Sequence, residues 1–457
     1  MQKRETLASR LGFIMLSAGC AIGIGNVWKF PYITGLYGGG IFVLIYIFFL
    51  LILGIPLLTI EFAVGRASRT SPINECRVLA PQGTRWHWRG IFSFIGAYLL
   101  MMYYTTVSGW MLHYFYLMST GAFTGASPDQ IGAMFGGMLS TPGSMVFWMA
   151  VITIAGFAGC SIGLQKGAEK ITKVVMTTLL VLIVALAIKS IMLPGSMAGL
   201  KFYLLPDINR LIQNGVANTI IAAMNQAFFT LSLGIGCMSI FGSYIGKEHT
   251  LLNESIWVTI LDTGVALAAG LVVFPVCFAF NLNPDSGPSL IFITLPNIFN
   301  HMAGGRLWGS LFFLFMAFAA FSTVLAVFEN ILSCCMELTG WSRKKTAGIN
   351  AAVMIILSLP CTFGFNLLSG IQPLGAGSTI MDLEDLIVSN FMLPLGSLIY
   401  LLFCTSRKGW GWNNFIQEAN TGKGFKVPNL LRFYMSYILP LIILCIFFIG
   451  LKATLFK

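Results

Sequence analysis

Long apolar runs alternate with short polar or charged segments along the whole chain. A helix needs about 20 mainly apolar residues to cross about 30 Å of hydrocarbon, and Gly, Pro or charged residues separate the runs that are this long. The pattern predicts eleven membrane-spanning helices, at 11–36, 39–66, 90–121, 144–162, 168–193, 215–244, 253–281, 306–338, 346–366, 382–404 and 430–452. The predicted fold class is therefore an all-α polytopic membrane protein.

Composition supports this prediction. Of the 457 residues, 57% are hydrophobic and 9% are charged, and the mean hydropathy is +0.84. In a typical soluble globular protein, about 25% of all residues are charged. An arrangement of two or three soluble domains is thus excluded.

The net charge of +11 comes from 27 Lys and Arg against 16 Asp and Glu. Most of the basic residues fall in alternate connecting segments, and membrane proteins concentrate Lys and Arg in cytoplasmic loops. The pattern predicts a multi-pass protein of the plasma membrane with a cytoplasmic amino terminus and a carboxyl terminus outside. Because the charge sets orientation in the lipid bilayer, we expect no nucleic-acid partner.

The first and sixth predicted spans contain residues that a lipid-facing helix avoids. The first carries SAGCAIGIGN at 17–26, and the sixth carries NQAFFTLSLGIG at 225–236. Each Gly costs a helix about 1 kcal/mol relative to Ala, and an unpaired backbone amide in lipid costs more. Such segments are stable where they face protein or a solvated cavity. For either segment alone, close helix packing through small residues is an equal alternative.

These two spans open two groups of five spans, which predicts an internal repeat. Within a single transporter domain, repeat one covers about 8–193, repeat two covers about 211–405, and an extra helix covers about 430–452. An odd number of spans inverts the second repeat relative to the first, and Gly-interrupted helices at corresponding positions indicate a site near the membrane midplane. Exposed amides there suit a carboxylate, and freed carbonyls suit Na⁺.

The sequence has no motif for catalysis. Its four His are scattered, most of its ten Cys lie inside predicted spans, and no nucleophile is spaced for a base. The Gly-x-Gly at 23–25 is not followed by the soluble βαβ unit that a dinucleotide fingerprint requires. We therefore expect a transporter and not an enzyme.

Several ordered motifs resemble the neurotransmitter:sodium symporter family over essentially the whole chain. They are GIGNVWKFPY at 23–32, GGG at 38–40, GIPL at 54–57 with Glu61 and Gly65-Arg66, and FTLSLG at 229–234. The resemblance implies a LeuT-like 5+5 inverted repeat with broken first and sixth helices plus one extra helix. It also implies Na⁺-coupled symport by alternating access.

The resemblance implies two sodium sites built from oxygen ligands. The first would be completed by the substrate carboxylate and would use Ala21, Asn26, Thr230 and Asp262. The second would use Gly19, Ile22, Ala319, Ser322 and Thr323. Neutral and anionic oxygen atoms suit a hard cation. Taken alone, Ser322 and Thr323 are also consistent with hydroxyls that bond back to their own helix.

Asp262 departs from the pattern of animal members, which usually have Asn here and bind chloride nearby. The family's chloride positions resemble Tyr46, Gln226, Thr230 and Ala266, and Ala266 lacks the hydroxyl of chloride-dependent members. A carboxylate in a span costs about 3 kcal/mol on insertion scales and indicates a functional role. We expect Asp262 to supply the negative charge, so that no chloride is needed.

The resemblance also bears on the substrate. Amine transporters of the family have Asp where this chain has Gly23, so the amides from Gly23 to Gly25 and the Tyr104 hydroxyl are expected to bind a carboxylate. The rest of the expected pocket is mostly apolar and consists of Ala21, Leu100, Val107, Phe229, Thr230, Ser232, Ile235, Met238 and Val327. We predict a large hydrophobic or aromatic amino acid such as tryptophan, although Phe229 and Ile235 also suit a plain core. The alternative is a biogenic or indole amine paired with Asp262 or Glu61.

The family's outer gate has counterparts in Lys29 and Asp385, with Phe229 as the lid over the substrate. Lys cannot form the bidentate pair of the Arg found in the family, so we expect a weaker lock. Gates on both sides of a closed site favour a carrier over a channel.

The inner gate is expected to consist of Arg4, Tyr244 and Glu337, with Glu329 as a further candidate. Two residues near this gate differ from the family pattern, so the resemblance does not specify how the gate opens. Leu7 replaces the usual Trp of the amino-terminal segment, and Thr177 replaces a Pro of the fifth span.

Overall fold

The computed structural model describes residues 5–280 and 289–455. Among these residues, nine continuous helices are long and apolar enough to cross a membrane: Gly40–Ser68, Trp88–Thr120, Pro142–Ser161, Leu164–Ile191, Leu251–Ala279, Gly305–Thr339, Arg343–Phe363, Ile380–Thr405 and Leu431–Leu451. Arg10–Ala21 and Gly25–Leu36 form a bent pair that makes a tenth candidate span. The predicted sixth span is divided into Val216–Thr230 and Cys237–Gly242, each too short to cross alone.

The all-α prediction is confirmed, and the predicted bounds agree with these helices to within a few residues. The described part of the chain has no β-strand, only an isolated bridge between His249 and Lys423. Shorter helices lie between the spans, at Glu75–Leu79, Pro128–Ser140, Ser196–Leu204, Ile208–Gln213, Leu295–His301 and Trp412–Ala419. π-helical turns occur at Gly25–Lys29, Leu50–Gly54, Leu164–Glu169, Leu290–Thr294, Ile387–Met392 and Tyr434–Ile438. The bounds of the two repeats stay a prediction.

The first span breaks at its glycines. Its first half ends at Ile22, whose backbone is extended (φ −72°, ψ 98°), and its second half leaves at 55° to the first. The chain re-enters helix at once, because the Gly23 carbonyl accepts hydrogen bonds from Asn26 N at 3.1 Å and Val27 N at 3.3 Å. The break leaves backbone carbonyls between the halves available to side chains of other helices.

The sixth span breaks after Thr230. Ser232, Gly234 and Gly236 have φ values of 49°, 95° and 75°, a region that Gly enters without the steric cost of a Cβ. A Cβ at Gly234 would also overlap the backbone carbonyl of Leu393. Glycine at 234 thus permits both the turn and direct backbone contact with the tenth span.

The third and eighth spans pack against each other and flank the first break. Tyr104 reaches the break from the third span, and Ser322 and Thr323 reach it from the eighth. The first break is therefore held between the third and eighth spans.

Candidate functional site

The two breaks meet at a small buried cavity. Its volume is about 20 Å³, room for one or two water molecules, and its lining comprises Cys20, Ala21, Gly23, Gly25, Leu100, Tyr104, Phe229, Ser232, Thr323 and Leu393. A larger cavity of about 280 Å³ adjoins it and shares Gly25, Tyr104 and Phe229 with it. Phe229 therefore lies between the small cavity and the larger one.

Three polar residues predicted for the first sodium site are in mutual contact. Asn26 Nδ2 donates to Asp262 Oδ1 at 2.7 Å and to Thr230 Oγ1 at 3.1 Å, and Thr230 Oγ1 donates to Asp262 Oδ2 at 2.9 Å. All three side chains are buried. The structure thus brings one carboxylate, one amide and one hydroxyl together, and Asn26 Oδ1 accepts a hydrogen bond from Gly23 N. Gly23 and the fourth predicted ligand residue, Ala21, both line the small cavity.

The five residues predicted for the second sodium site also come together. Ser322 Oγ donates to the carbonyls of Ile22 at 3.2 Å and Ala319 at 2.9 Å, and Thr323 Oγ1 lies 3.3 Å from Gly19 O and 3.4 Å from Ile22 O. Ser322 therefore does bond back to its own helix, as the alternative reading held, but both hydroxyls also contact the first break. The cluster is made of neutral oxygen atoms.

Amides of the first break are bonded to side chains. Ile24 N donates to the Tyr104 hydroxyl at 3.0 Å, and Gly23 N donates to Asn26 Oδ1 at 3.2 Å. They are outside the helical ladder, as predicted, but they are not free. A ligand carboxylate would have to replace the Tyr104 oxygen as the acceptor for Ile24 N.

The structure divides the predicted substrate residues into two groups. Leu100, Tyr104, Phe229 and Ser232 line the small cavity, and Val107 lines the larger one. Three other predicted substrate residues are completely buried and line neither cavity: Ile235, Met238 and Val327. Cys20 and Leu393 also line the small cavity, and sequence analysis missed both. Cys20 stood between two proposed ligands, whereas nothing in the sequence marks Leu393.

The predicted outer gate is assembled at the larger cavity. Lys29 Nζ lies 3.7 Å from Asp385 Oδ2 and 3.9 Å from the centre of the Phe229 ring. Tyr103 donates to Asp385 Oδ1 at 3.0 Å and Ser389 donates at 2.7 Å. Because the Lys29 and Asp385 side chains are 32% and 41% exposed, this single contact contributes little to stability, which agrees with a weak lock.

Two residues of the predicted inner gate, Tyr244 and Glu329, are in contact, and Arg343 joins them. Tyr244 donates to Glu329 Oε1 at 3.0 Å, and Arg343 contacts Glu329 at 2.8 Å and Glu5 at 3.0 Å. Glu337 accepts hydrogen bonds from Ser71 and Asn74. Arg4 lies outside the described residues. Arg343 was not among the gate residues predicted from the sequence, so its pairing with Glu329 was missed.

The positions that resemble a chloride site lie beside Thr230 and Asp262. The Tyr46 hydroxyl is buried and interacts with Thr230. Gln226 Oε1 is buried without a hydrogen-bond partner, while Gln226 Nε2 donates to Gly25 O at 3.2 Å. Ala266 is fully buried and brings no polar atom. Asp262 is accordingly the anionic group of this region.

Comparison with known proteins agrees with this arrangement. The model of the sodium:neurotransmitter symporter family matches residues 4–128 and 130–455. An uncharacterized sodium-dependent transporter of Bacillus subtilis, YhdH, is 33% identical over 98% of this chain and 97% of its own length. The sodium- and chloride-dependent GABA transporter 2 of Bos taurus is 24% identical over 98% of this chain and 80% of its own.

Among solved structures, MhsT in complex with L-phenylalanine superposes with a TM-score of 0.88 at 35% identity, covering 98% of this chain and all of the other. The LeuT-like fold expected from the motifs is confirmed by this match. The chain therefore belongs to the sodium:neurotransmitter symporter family and is a sodium-dependent, multi-pass membrane transporter.

Proposed function

We propose that the protein is a Na⁺-coupled symporter that imports a large hydrophobic or aromatic amino acid such as tryptophan by alternating access, without chloride. The observation that carries this proposal is the mutual contact of Asn26, Thr230 and Asp262. The Asn26 side chain accepts a hydrogen bond from Gly23, which lines the small cavity together with the polar residues Tyr104, Ser232 and Thr323. Cation ligands and hydrogen-bond donors for a carboxylate lie side by side there. An amino acid whose carboxylate contacts the cation requires this combination.

Both oxygen clusters suit Na⁺ in residue type. The first offers a carboxylate with an amide and a hydroxyl, and the second offers hydroxyls and backbone carbonyls. Asn26 presents Nδ2 to Asp262 in the structure. Rotation of this amide by about 180° would present Oδ1 to a cation, because the two ends differ only in their hydrogen bonding.

The lining of the small cavity favours an amino acid over an amine. It contains no Asp or Glu to pair an ammonium group, and Gly23 leaves the backbone accessible to the ligand. The related MhsT structure contains L-phenylalanine, which supports a hydrophobic amino acid. An aromatic substrate does not fit in about 20 Å³, so we expect Phe229 to move toward the larger cavity on binding.

Alternating access is supported by closed contacts on both sides of the site. Lys29 and Asp385 lie on one side, and Glu329 and Arg343 lie on the other. The distribution of Lys and Arg supports a plasma-membrane orientation with the amino terminus in the cytoplasm and the carboxyl terminus outside. In this orientation the larger cavity is the entrance from outside.

The first test is the dependence of uptake on sodium. In proteoliposomes with an inward Na⁺ gradient, initial uptake of labelled tryptophan should fall at least about tenfold when choline replaces Na⁺. The substrate and the first ion share a site, so each should strengthen binding of the other by the same factor, which equilibrium titration measures in both directions. Undiminished uptake in choline would refute symport.

The second test separates the amino-acid proposal from the amine alternative. Tyr104→Phe removes the hydroxyl and should weaken the binding free energy of tryptophan by about 1.5–3 kcal/mol, the usual contribution of a hydrogen bond to a charged group. Tryptamine lacks the carboxylate, so it should bind the wild type much more weakly and respond little to the substitution. Competition binding in Na⁺ measures both ligands.

Tyr114→Phe is the matched control, because the Tyr114 hydroxyl lies in the same helix, is buried and has no hydrogen-bond partner. Its affinity for tryptophan should equal that of the wild type. If tryptamine competes as well as tryptophan in the wild type, the amine alternative takes the place of the amino-acid proposal.

A further inference from the structure

A groove of about 460 Å³ lies on the surface of the bundle, between the start of Trp88–Thr120 and the tenth span, Ile380–Thr405. Its walls comprise Arg85, Trp86, Trp88, Arg89, Ile91, Phe92, Ile95 and Ile399. The groove is separate from the two cavities at the broken helices. It crosses the end of the membrane-spanning region, because Arg85 and Trp86 precede the span whereas Ile95 and Ile399 lie inside spans.

One half of the groove is apolar and open. Trp88, Ile91 and Ile95 are 60%, 41% and 50% exposed, and their spacing places them on one face of the helix. An exposed apolar face within a span contacts lipid, and Trp concentrates at the membrane interface. This half therefore suits an acyl chain.

The other half is basic. Trp86 Nε1 donates to the Lys408 carbonyl at 2.8 Å, and the Trp86 ring lies 5.2 Å from that of Phe403, so Arg85 is held close to the exposed residues Arg407 and Lys408. The sequence has no Asp or Glu in 76–128 or in 386–417, the segments that form both walls. The charge of this end is complementary to an anionic headgroup.

The floor of the groove leads to the sixth-span break. Arg89 is 2% exposed; its Nη1 contacts Glu75 Oε1 at 2.5 Å and its Nη2 donates to Gly234 O at 3.3 Å. Arg89 Nε is buried without a partner. A ligand in the groove would thus contact a side chain that holds the backbone of a broken helix.

We propose that this groove binds one anionic phospholipid, with its phosphate at Arg85 and Lys408 and an acyl chain along Trp88, Ile91 and Ile95. Clusters of Lys and Arg at the cytoplasmic end of spans attract anionic lipid headgroups, and the predicted orientation places the groove in that leaflet. The apolar half distinguishes a phospholipid from free phosphate, since phosphate would leave that half without a ligand.

Native mass spectrometry of the full chain in a neutral detergent tests the proposal. Phosphatidylglycerol should bind as one tight equivalent, at least about tenfold tighter than phosphatidylcholine, and inorganic phosphate at the same concentration should not displace it. The double variant Arg85→Gln/Lys408→Gln should reduce this preference to about threefold or less. Displacement by inorganic phosphate, or equal binding of the two lipids, would overturn the proposal.

The matched control is Arg77→Gln/Lys426→Gln, which removes the same charge from exposed residues that do not line the groove. This control should retain the full preference for phosphatidylglycerol over phosphatidylcholine. An equal loss of preference in the control would show general electrostatic attraction and would contradict a specific site in the groove. Ile91→Trp keeps every charge and narrows the apolar half of the groove, so it should lower the affinity for phosphatidylglycerol at least about fivefold. Wild-type affinity in this variant would also contradict an acyl-chain groove. An unchanged thermal-unfolding midpoint verifies that each variant is folded.

Discussion

Asp262→Asn is expected to abolish uptake driven by Na⁺ in chloride-free medium, with an apparent Na⁺ affinity at least about tenfold weaker than that of the wild type. Asp262 is completely buried, and its two oxygens contact Asn26 and Thr230, so it contributes the formal charge of the first cation cluster. Asparagine keeps the shape and one oxygen but removes the charge, and a hard cation binds anionic oxygen more strongly than neutral oxygen. A tenfold loss corresponds to about 1.4 kcal/mol.

Chloride distinguishes this explanation from a general loss of structure. The buried side chains of Tyr46 and Gln226 lie in the region that resembles a chloride site, so added chloride should restore part of the uptake in Asp262→Asn. The wild type should transport equally in sodium gluconate and sodium chloride. Chloride dependence of the wild type, or an unchanged Na⁺ titration in the variant, would contradict the role of Asp262.

Gly23→Ala is expected to weaken substrate binding by at least about tenfold and to weaken Na⁺ binding with it. A Cβ at position 23 would overlap the Tyr104 hydroxyl and lie 2.5 Å from Thr323 Oγ1, so one methyl group disturbs both the carboxylate donor and the second cation cluster. Overpacking of this kind typically costs about 1–3 kcal/mol. Calorimetric titration of tryptophan, in low and high Na⁺, measures both effects.

Gly264→Ala is the matched control, because it is the same substitution inside a span and its added Cβ would meet nothing within 4 Å. Its substrate and Na⁺ affinities should match the wild type. Unchanged binding in Gly23→Ala would show that the ligand does not approach the first break, and the proposed substrate site would then be wrong.

The buried ion pairs among the basic residues were not predicted from the sequence. The loop charge pattern was interpreted only as a signal of orientation, but three of these basic residues form buried pairs. Arg66 pairs with Glu418 at 2.6 Å, Arg89 with Glu75 at 2.5 Å, and Arg343 with Glu329. A charge in lipid or in a core is costly unless it is paired. The charge pattern predicts an orientation, but it does not identify the partner of each basic residue, which is 14 positions away for Arg89 and Arg343 and 352 positions away for Arg66.

The sequence by itself determined the helical spans and the two breaks, since hydrophobic length and glycine conformation act locally. It also supplied the residue types of the proposed cation clusters. The family resemblance also identified Asn26, Thr230 and Asp262 as candidate ligands of one cation. Only the tertiary structure decided that Leu393 borders the cavity, that Ile235 does not line it and that Arg343 pairs with Glu329. These contacts depend on how each helix is rotated and packed against its neighbours, and no local pattern in the sequence specifies that rotation.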